Sequence, residues 1–321
     1  MRWLLLLLVL LAAASPACAE DRVWRVGLLA NSPPPAGVAT TWRDEILDVL
    51  RKHGFASGKN LDLTESYSDG DTDRLPQLAH ELAAINADVL VAISWESVRA
   101  ILVESQTTPL VVVIGQDPVA LGLAASLARP GGKVTGVIFR TIEADAKRLE
   151  ILRQAIPSAR RFGYLGISSE AGSKLESVRR AADRLGVELA TRLVDRPTEY
   201  EAAFAELSKE GAAGVVIGAN QPLATHSSEV AAAARAQRLP TICEWAYMAR
   251  AGCVFGFGHN LAYGQRRVGE YVARILEGAR PAELPMERPD AWTLTINLKA
   301  AEAVGLAIPA SVMARADEVI E

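Results

Sequence analysis

Short β-branched runs alternate with longer amphipathic stretches in this chain, and that alternation limits the folds open to it. In the first half, the runs RVGLLA, LDLTESY, DVLVAIS, PLVVVIG and KVTGVIF have the composition of strands. Helix patterns lie between them, among them TTWRDEILDVLRKHG, with Thr41 and Asp44 at capping-box spacing, and the helix-like DPVALGLAASLA (117–128). Apolar strands that alternate with helices predict a parallel sheet covered on both faces.

The same alternation begins again after residue 140. Four helix patterns each precede a strand pattern, and the four strand patterns are RRFGYLGI, VELATRLV, AAGVVIGAN and PTICEW. About 300 residues exceed what one hydrophobic core usually serves. We therefore predict an α/β protein with two lobes, each built on a parallel sheet.

Three joins between the two halves predict a hinge made of several strands. They fall near residues 131–139, near 256–260, and in EGARPAELPMERPDAW, where three prolines forbid an α-helix. GFGHN (256–260) has two glycines and predicts a tight turn into a helix that returns to the first lobe. The predicted boundaries assign residues 20–136 and 259–283 to lobe 1, and residues 137–258 and 284–321 to lobe 2.

The first nineteen residues have the pattern of a cleaved secretory signal. One early cation, Arg2, precedes an apolar run and a small-residue site, and the run is shorter than the roughly 20 residues a membrane-spanning helix needs. Cleavage before Glu20 leaves 33 Lys and Arg against 38 Asp and Glu, a balance that attracts neither nucleic acid nor an anionic membrane. We expect an exported protein in a bacterial periplasm, without a retained anchor.

Searches for catalytic and metal motifs find none in this sequence. The four histidines share no metal-ligand spacing with Cys243 and Cys253, and neither a phosphate-binding loop nor a nucleophile elbow is present. We therefore predict no metal, no cofactor and no enzymatic activity. Cys243 and Cys253 either form a disulfide, which an oxidising compartment permits, or are two small buried apolar residues.

Candidate ligand-binding residues follow the strands of the first half, because ligands bind beyond the carboxyl ends of parallel strands. SWES begins a helix whose free N–H groups suit an anion such as a carboxylate. Ser94 acting only as a helix cap, Glu96 only complementing the helix dipole, and Asp117 only capping a helix that begins at Pro118 are the structural alternatives. The candidates in this half are Asn31, Ser94, Trp95, Glu96, Ser97, Gln116 and Asp117.

A second set of candidates follows the strands of the second half and would face the first set across a cleft. Asparagine is also a common turn residue, and each tryptophan is as well explained by packing within its lobe. Trp95 and Trp245 together would sandwich a flat apolar group when the cleft closes. The candidates in this half are Ser168, Ser169, Asn220, Trp245 and His259.

Several stretches resemble a known family. DPVALGLAASLARPGG, INLKAAEAVGL, KRLEILRQAIPSARR and RKHGFASGKNLDL are similar to those of bacterial ABC-transporter substrate-binding proteins, and the likeness covers nearly the whole chain after the signal. The resemblance implies a type I periplasmic binding fold of two Rossmann-like lobes, and delivery of a ligand to an ABC permease in the inner membrane. The family usually has GTPA-like small residues where Ser94–Ser97 stand in this chain.

The expected function is capture of a small ligand by hinge closure, as a monomer and without nucleic acid. Helix starts, amides and indoles favour an amino acid or an aromatic carboxylate, and tryptophan stacking also leaves a sugar open. The alternatives are a periplasmic sensor that passes ligand occupancy to a signalling partner, and an enzyme on the same scaffold.

Overall fold

A computed structural model describes residues 22–33, 41–139, 141–168 and 171–321. The predicted signal peptide and Ser169 lie outside these residues. Within the described part of the chain, no helix is long and apolar enough to cross a membrane.

Five parallel strands form the first sheet, in the order β2-β1-β3-β4-β5. The predicted sheet of the first half is confirmed, and helices α1 to α3 cover it. The bounds are β1 Trp24–Ala30, α1 Trp42–Lys52, β2 Leu61–Tyr67, α2 Leu75–Ala84, β3 Val89–Ile93, α3 Trp95–Glu104, β4 Leu110–Ile114 and β5 Val134–Ile138.

Local sequence signals act as expected at the start of α1. The Thr41 hydroxyl accepts a hydrogen bond from the Asp44 N–H at 3.1 Å, and the Asp44 carboxylate accepts one from the Thr41 N–H at 2.9 Å. This reciprocal pair satisfies two N–H groups that the helix itself cannot bond.

The helix expected over residues 117–128 is absent, and this prediction was wrong. Asp117 Oδ1 accepts a hydrogen bond from the Val119 N–H at 2.9 Å, and the Leu121 N–H donates to the Asp117 carbonyl at 3.1 Å, which makes one turn. Gly122 then adopts φ +72°, a left-handed conformation that ends the turn. The apolar pattern is real, but a glycine in the middle of it stops the helix after its first turn.

Seven strands form the second sheet, in the order β12-β11-β10-β9-β8-β6-β7. All neighbours are parallel except β10 and β11, which are antiparallel. The strands are β6 Arg161–Gly166, β7 Glu188–Leu193, β8 Val215–Ile217, β9 Thr241–Cys243, β10 Phe255–His259, β11 Trp292–Asn297 and β12 Glu318–Ile320. The helices are α4 Thr141–Ala155, α5 Ala171–Leu185, α6 Tyr200–Lys209, α7 Gln221–Thr225, α8 Ser227–Ala236, α9 Ala246–Arg250, α10 Leu261–Leu276, α11 Leu298–Ala303 and α12 Ala310–Met313.

GFGHN is a strand rather than the predicted tight turn. Gly256 and Gly258 lie in β10, which runs directly into the N-cap Asn260 of α10. A Cβ atom on Gly258 would lie 2.1 Å from the Glu244 carbonyl oxygen, and one on Gly256 would lie 2.7 Å from that of Trp245. The glycines therefore serve close approach of two backbones and not a change of chain direction.

The chain crosses between the sheets after β5, after β10 and between residues 284 and 292. Helix α10 packs on α1 and on the first sheet, where Val268 and Val272 join Val26 and Leu28 in one core. Sheet membership shifts the predicted lobe boundaries slightly, because residues 137 and 138 belong to β5 and His259 belongs to β10. Residues 284–287 also stay with the first lobe, since the Glu287 N–H donates to the Gly136 carbonyl at 2.9 Å.

Candidate functional site

The carboxyl ends of β1, β3 and β4 meet at one edge of the first sheet. Ala30 pairs with Ile93, and Ile93 pairs with Val113, so the residues that follow these strands are neighbours. Asn31, Ser94 and Gln116 therefore lie along a common edge, which we call the first carboxyl edge.

Ser94 caps α3 in an unusual backbone conformation. Its hydroxyl accepts a hydrogen bond from the Ser97 N–H at 3.2 Å, as the predicted N-cap requires. Its φ of +107° and ψ of 158° lie in a region that is essentially confined to glycine. Ser97 is fully buried, and its hydroxyl accepts a hydrogen bond from that of Ser94 at 3.2 Å.

The remaining candidates at this edge are partly or fully exposed. Trp95 is half-buried and packs against the first-lobe core, and Glu96 is also half-buried. Gln116 and Asp117 are exposed. Asn31 accepts a hydrogen bond from the Ser68 hydroxyl at 2.7 Å, which ties the end of β1 to the loop after β2.

The candidates of the second lobe divide into loop and helix positions. Ser168 is exposed and donates from its N–H and hydroxyl to Asp195, at 3.1 and 2.8 Å. Asn220 is buried and caps α7, a short helix that sequence patterns missed. Its Oδ1 accepts from the Leu223 N–H at 3.0 Å, and its Nδ2 donates to the Gly218 carbonyl at 3.1 Å, so its amide is bonded locally.

Aromatic rings from both sheets meet where the chain crosses between them. Phe139, directly after β5, lies edge-on to Trp245 at 5.7 Å between centroids, and its centroid is 5.2 Å from that of His259. His259 in turn lies 3.9 Å from the Trp292 ring at the start of β11. Because Trp245 and His259 follow or end β9 and β10, the carboxyl ends of the two sheets come together at this hinge.

A buried polar network supports the second-lobe strand ends and was not predicted. Arg148 and Asp145, both fully buried, form an ion pair on α4. Asp145 also accepts hydrogen bonds from the Tyr164 hydroxyl at 3.2 Å and the Ala219 N–H at 3.3 Å. The only signal in the sequence is a charged pair three residues apart on an otherwise buried helix face.

Arg148 extends this network from α4 to the hinge strands. Its Nε donates to the Phe257 carbonyl in β10 at 2.7 Å, and its Nη2 lies 3.9 Å from a carboxylate oxygen of Glu244. The network thus connects α4 with the residues after β8 and β9, which lie near the candidate site. Buried ions need such bonds, because removing one partner leaves the other charge buried and unpaired.

Cys243 and Cys253 form a disulfide, with 2.10 Å between the sulfurs and 6.6 Å between the Cα atoms. Of the two alternatives that the sequence left open, the structure has the bond. It links the end of β9 to the segment before β10, and the ten-residue span that it closes contains Trp245 and α9.

A cavity of about 200 Å³ lies between α9 and the start of α10, and we call it the hinge cavity. Of the predicted residues, Trp245 and His259 line it, and no first-lobe candidate does. Tyr247 and Gln265 also line it, and the sequence analysis missed both. Gln265 could have been identified from the sequence, because it is a polar residue on a helix face that otherwise carries Leu261, Val268 and Val272.

The electrostatics of this cavity depend on burial. Burial raises the pKa of the Tyr247 phenol far above its usual range, and the nearby Glu244 carboxylate raises it further. The hydroxyl therefore stays protonated at any physiological pH. Arg250 and Glu318, also on the cavity wall, form an ion pair at 2.5 Å. Within the described ranges, no group of three or more His, Cys, Asp or Glu side chains is placed to hold a metal ion.

Comparisons with known proteins agree with this architecture. The chain is 24% identical over 255 residues to a tyrosine-binding protein of Clostridioides difficile (strain R20291), covering 78% of this chain and 72% of that protein. A conserved domain protein from Vibrio cholerae O1 biovar eltor superposes with a TM-score of 0.83 at 25% identity, covering 93% of this chain and all of that one. An ABC domain from Streptococcus pneumonia in complex with L-Trp gives 0.81 at 22% identity with the same coverage.

These similarities confirm the type I periplasmic binding fold, with two parallel-sheet lobes. The family model for ABC transporter substrate binding proteins matches residues 38–320, nearly the whole described chain. Members of that family bind solutes and are not enzymes. The chain belongs to the ABC transporter substrate-binding protein family.

Proposed function

We propose that this protein captures an amino acid, with an aromatic one favoured, in the cleft between its lobes and delivers it to an ABC permease in the inner membrane. Hinge closure would bring the two carboxyl edges onto the ligand, because only the closed form makes contacts from both lobes. The signal-like first nineteen residues support a periplasmic location.

One observation carries the proposal. Phe139 from the first sheet contacts Trp245 and His259 from the second, so strand ends of both sheets, where ligands of parallel α/β proteins bind, converge on the hinge. Indole and imidazole rings at this point suit a flat apolar group. The tyrosine-binding relative and the structure with bound L-Trp support an aromatic amino acid as the ligand.

A thermal-shift screen tests the ligand class. L-tryptophan, L-tyrosine, indole-3-acetate and glucose would be added to the purified mature protein, followed by calorimetric titration of the best hit. An amino acid at 100 times its dissociation constant should raise the free energy of unfolding by about 2.7 kcal/mol. A stabilising effect of glucose alone would refute the proposal, and recovery of chemically changed ligand would point to an enzyme.

The role of the hinge tryptophan is tested by a matched pair of variants. Trp245→Ala should weaken binding of the best amino acid by about tenfold or more, since stacked aromatic contact is lost. Trp24→Ala is the control, because Trp24 is also half-buried but lies at the opposite end of the first sheet, beside Phe55. Equal affinities for the two variants would contradict the proposal.

A further inference from the structure

Gln265 holds an amide that has no hydrogen-bond partner among the residues that the structure describes. The residue is only 2% exposed, and it lies in the second turn of α10 on the wall of the hinge cavity. Among the described residues, its side chain makes no hydrogen bond. A buried amide is normally bonded, so an amide that faces this cavity without a bond suits a partner that enters the cavity.

Tyr247 presents a second polar group to the same cavity. The residue is 6% exposed, and its hydroxyl has no hydrogen bond to any residue that the structure describes. Both groups donate and accept hydrogen bonds, and both are uncharged. Together they suit a small polar group that offers acceptors and donors side by side, as the carboxylate and ammonium of an amino acid do.

The start of α10 adds a preference for a carboxylate at this place. Leu261 and Ala262 line the cavity and belong to the first turn of a sixteen-residue helix, where N–H groups have no helical carbonyl to bond. The Asn260 side chain accepts from the Tyr263 N–H at 2.9 Å and its carbonyl accepts from the Gly264 N–H at 3.2 Å, so these bonds do not use the N–H groups of Leu261 and Ala262. Leu261 and Gln265 are four residues apart, so the helix start and the amide lie on the same face.

The apolar wall of the cavity completes the arrangement. Trp245 lines it beside Ala246 and Leu261, so an apolar side chain attached to the polar group would lie against an indole. A cavity of about 200 Å³ has room for far more than the single water of roughly 30 Å³ that often satisfies a buried amide.

We propose that Gln265 and Tyr247 form the recognition site for the α-amino-acid head group of the ligand, in the hinge cavity at the amino end of α10. This inference rests on the proposed function and makes it more specific. The carboxylate would lie at the helix start and accept from the Gln265 amide, and the ligand side chain would contact Trp245.

Gln265→Leu tests this assignment with two measurements on the mature protein. Dissociation constants for L-tryptophan and L-tyrosine would be measured by calorimetry, and the unfolding midpoint without ligand by differential scanning. We expect affinity to fall by about tenfold or more, because a hydrogen bond to the ligand is lost in a buried place. We expect the ligand-free midpoint to stay unchanged or rise, because leucine removes an unbonded buried amide.

A lower affinity with an unchanged or higher unfolding midpoint separates ligand recognition from a structural role. Loss of a structural role would lower both the affinity and the midpoint. Gln77→Leu is the matched control, since Gln77 is exposed on α2 and bonds only Glu81. Tyr247→Phe removes a single hydroxyl and decides the matter if Gln265→Leu does not fold. It should weaken binding by about threefold to tenfold.

The outcomes distinguish this inference from the proposed function. If wild-type protein binds either amino acid and both variants bind it within about twofold of wild type, the head-group site is wrong and the proposed function stands. If wild-type protein binds neither amino acid at millimolar concentration, the proposed function fails and this inference fails with it.

Discussion

The carboxyl ends of the strands are built differently in the two lobes. In the first lobe, Ser94 bonds Ser97 and Asp117 bonds Val119, each within its own turn, while Asn31 accepts from Ser68 in the loop after β2. In the second lobe, Arg148 joins α4 to β10, and the Cys243–Cys253 disulfide closes the segment that carries Trp245.

Such a difference allows one protein to combine a rigid binding surface with an adaptable one. Buried polar networks and covalent links resist rearrangement, whereas exposed side chains held by one local bond rearrange at little cost. Under the proposed function, the second lobe would be prepared before the ligand arrives, and the first lobe would adjust to it. Variants in both lobes test this contrast.

Replacing Arg148 should have the largest effect. Arg148→Leu leaves the Asp145 carboxylate buried without its cation, and we expect the free energy of unfolding to fall by about 3 to 5 kcal/mol. Urea denaturation measures this. Arg180→Leu is the control, because Arg180 pairs with Glu176 at an exposed helix position and should change stability by less than about 0.5 kcal/mol. Equal losses of unfolding free energy in the two variants would show that the buried network stabilises the protein no more than an exposed ion pair does.

Removing the disulfide should have the next largest effect. Cys243→Ala with Cys253→Ala should lower the free energy of unfolding by about 2 to 3 kcal/mol, because a short closed loop no longer restricts the unfolded chain. Reductant should destabilise the wild type and leave the double variant unchanged. Ligand affinity should fall as well, since Trp245 lies inside the loop. An unaltered affinity would mean that the second lobe does not need this disulfide to bind the ligand.

Ser94→Gly should act in the opposite direction and make the protein more stable by about 1 kcal/mol. Glycine adopts φ +107° without strain and is nearly as good as serine at an N-cap. Thr41→Gly is the matched control, because Thr41 caps α1 with an ordinary φ of −88°, and there the change should lower stability by about 0.5 kcal/mol. The same sign for both variants in urea denaturation would show that Ser94 is not strained.

The smallest effect concerns a titrating contact of the first lobe. The His53 Nδ1 lies 2.8 Å from a Glu277 carboxylate oxygen, and this hydrogen bond, with help from Glu270, raises the pKa of His53 above its usual value. A raised pKa means that the contact stabilises the fold fully below about pH 6.5 and is lost as the pH rises through the folded-state pKa.

The expected size of this loss is about 0.5 kcal/mol, because the pair is partly exposed. Urea denaturation at pH 6 and pH 8 should show it for the wild type. His53→Gln and Glu277→Gln should each abolish it, and a pH dependence that survives in both variants would assign it to other groups.

Much of the architecture could be predicted because periodicity and caps are local. The strand and helix patterns and the Thr41 cap follow from residues close together in the chain. The failures at 117–128 and at GFGHN have one cause. In both places a glycine decides the structure through its conformation or its neighbours, and the surrounding pattern does not reveal which.

The candidate site was predictable only in part, for the same physical reason. Strand-end positions are visible in a sequence, so Ser94, Trp245 and His259 could be named in advance. Asp145, Arg148, Tyr247 and Gln265 lie inside helices, and a polar residue in a helix is usually exposed. Their burial became apparent only once α4 and α9 were placed against the second sheet and α10 against the first.

Local pattern and extended similarity therefore establish two parallel-sheet lobes, most of the order of their elements, and the family. Packing in three dimensions is what shows which polar groups are buried, that the two cysteines bond, and where a cavity forms. These are properties of distances between residues far apart in the chain, which hydrophobic periodicity does not encode.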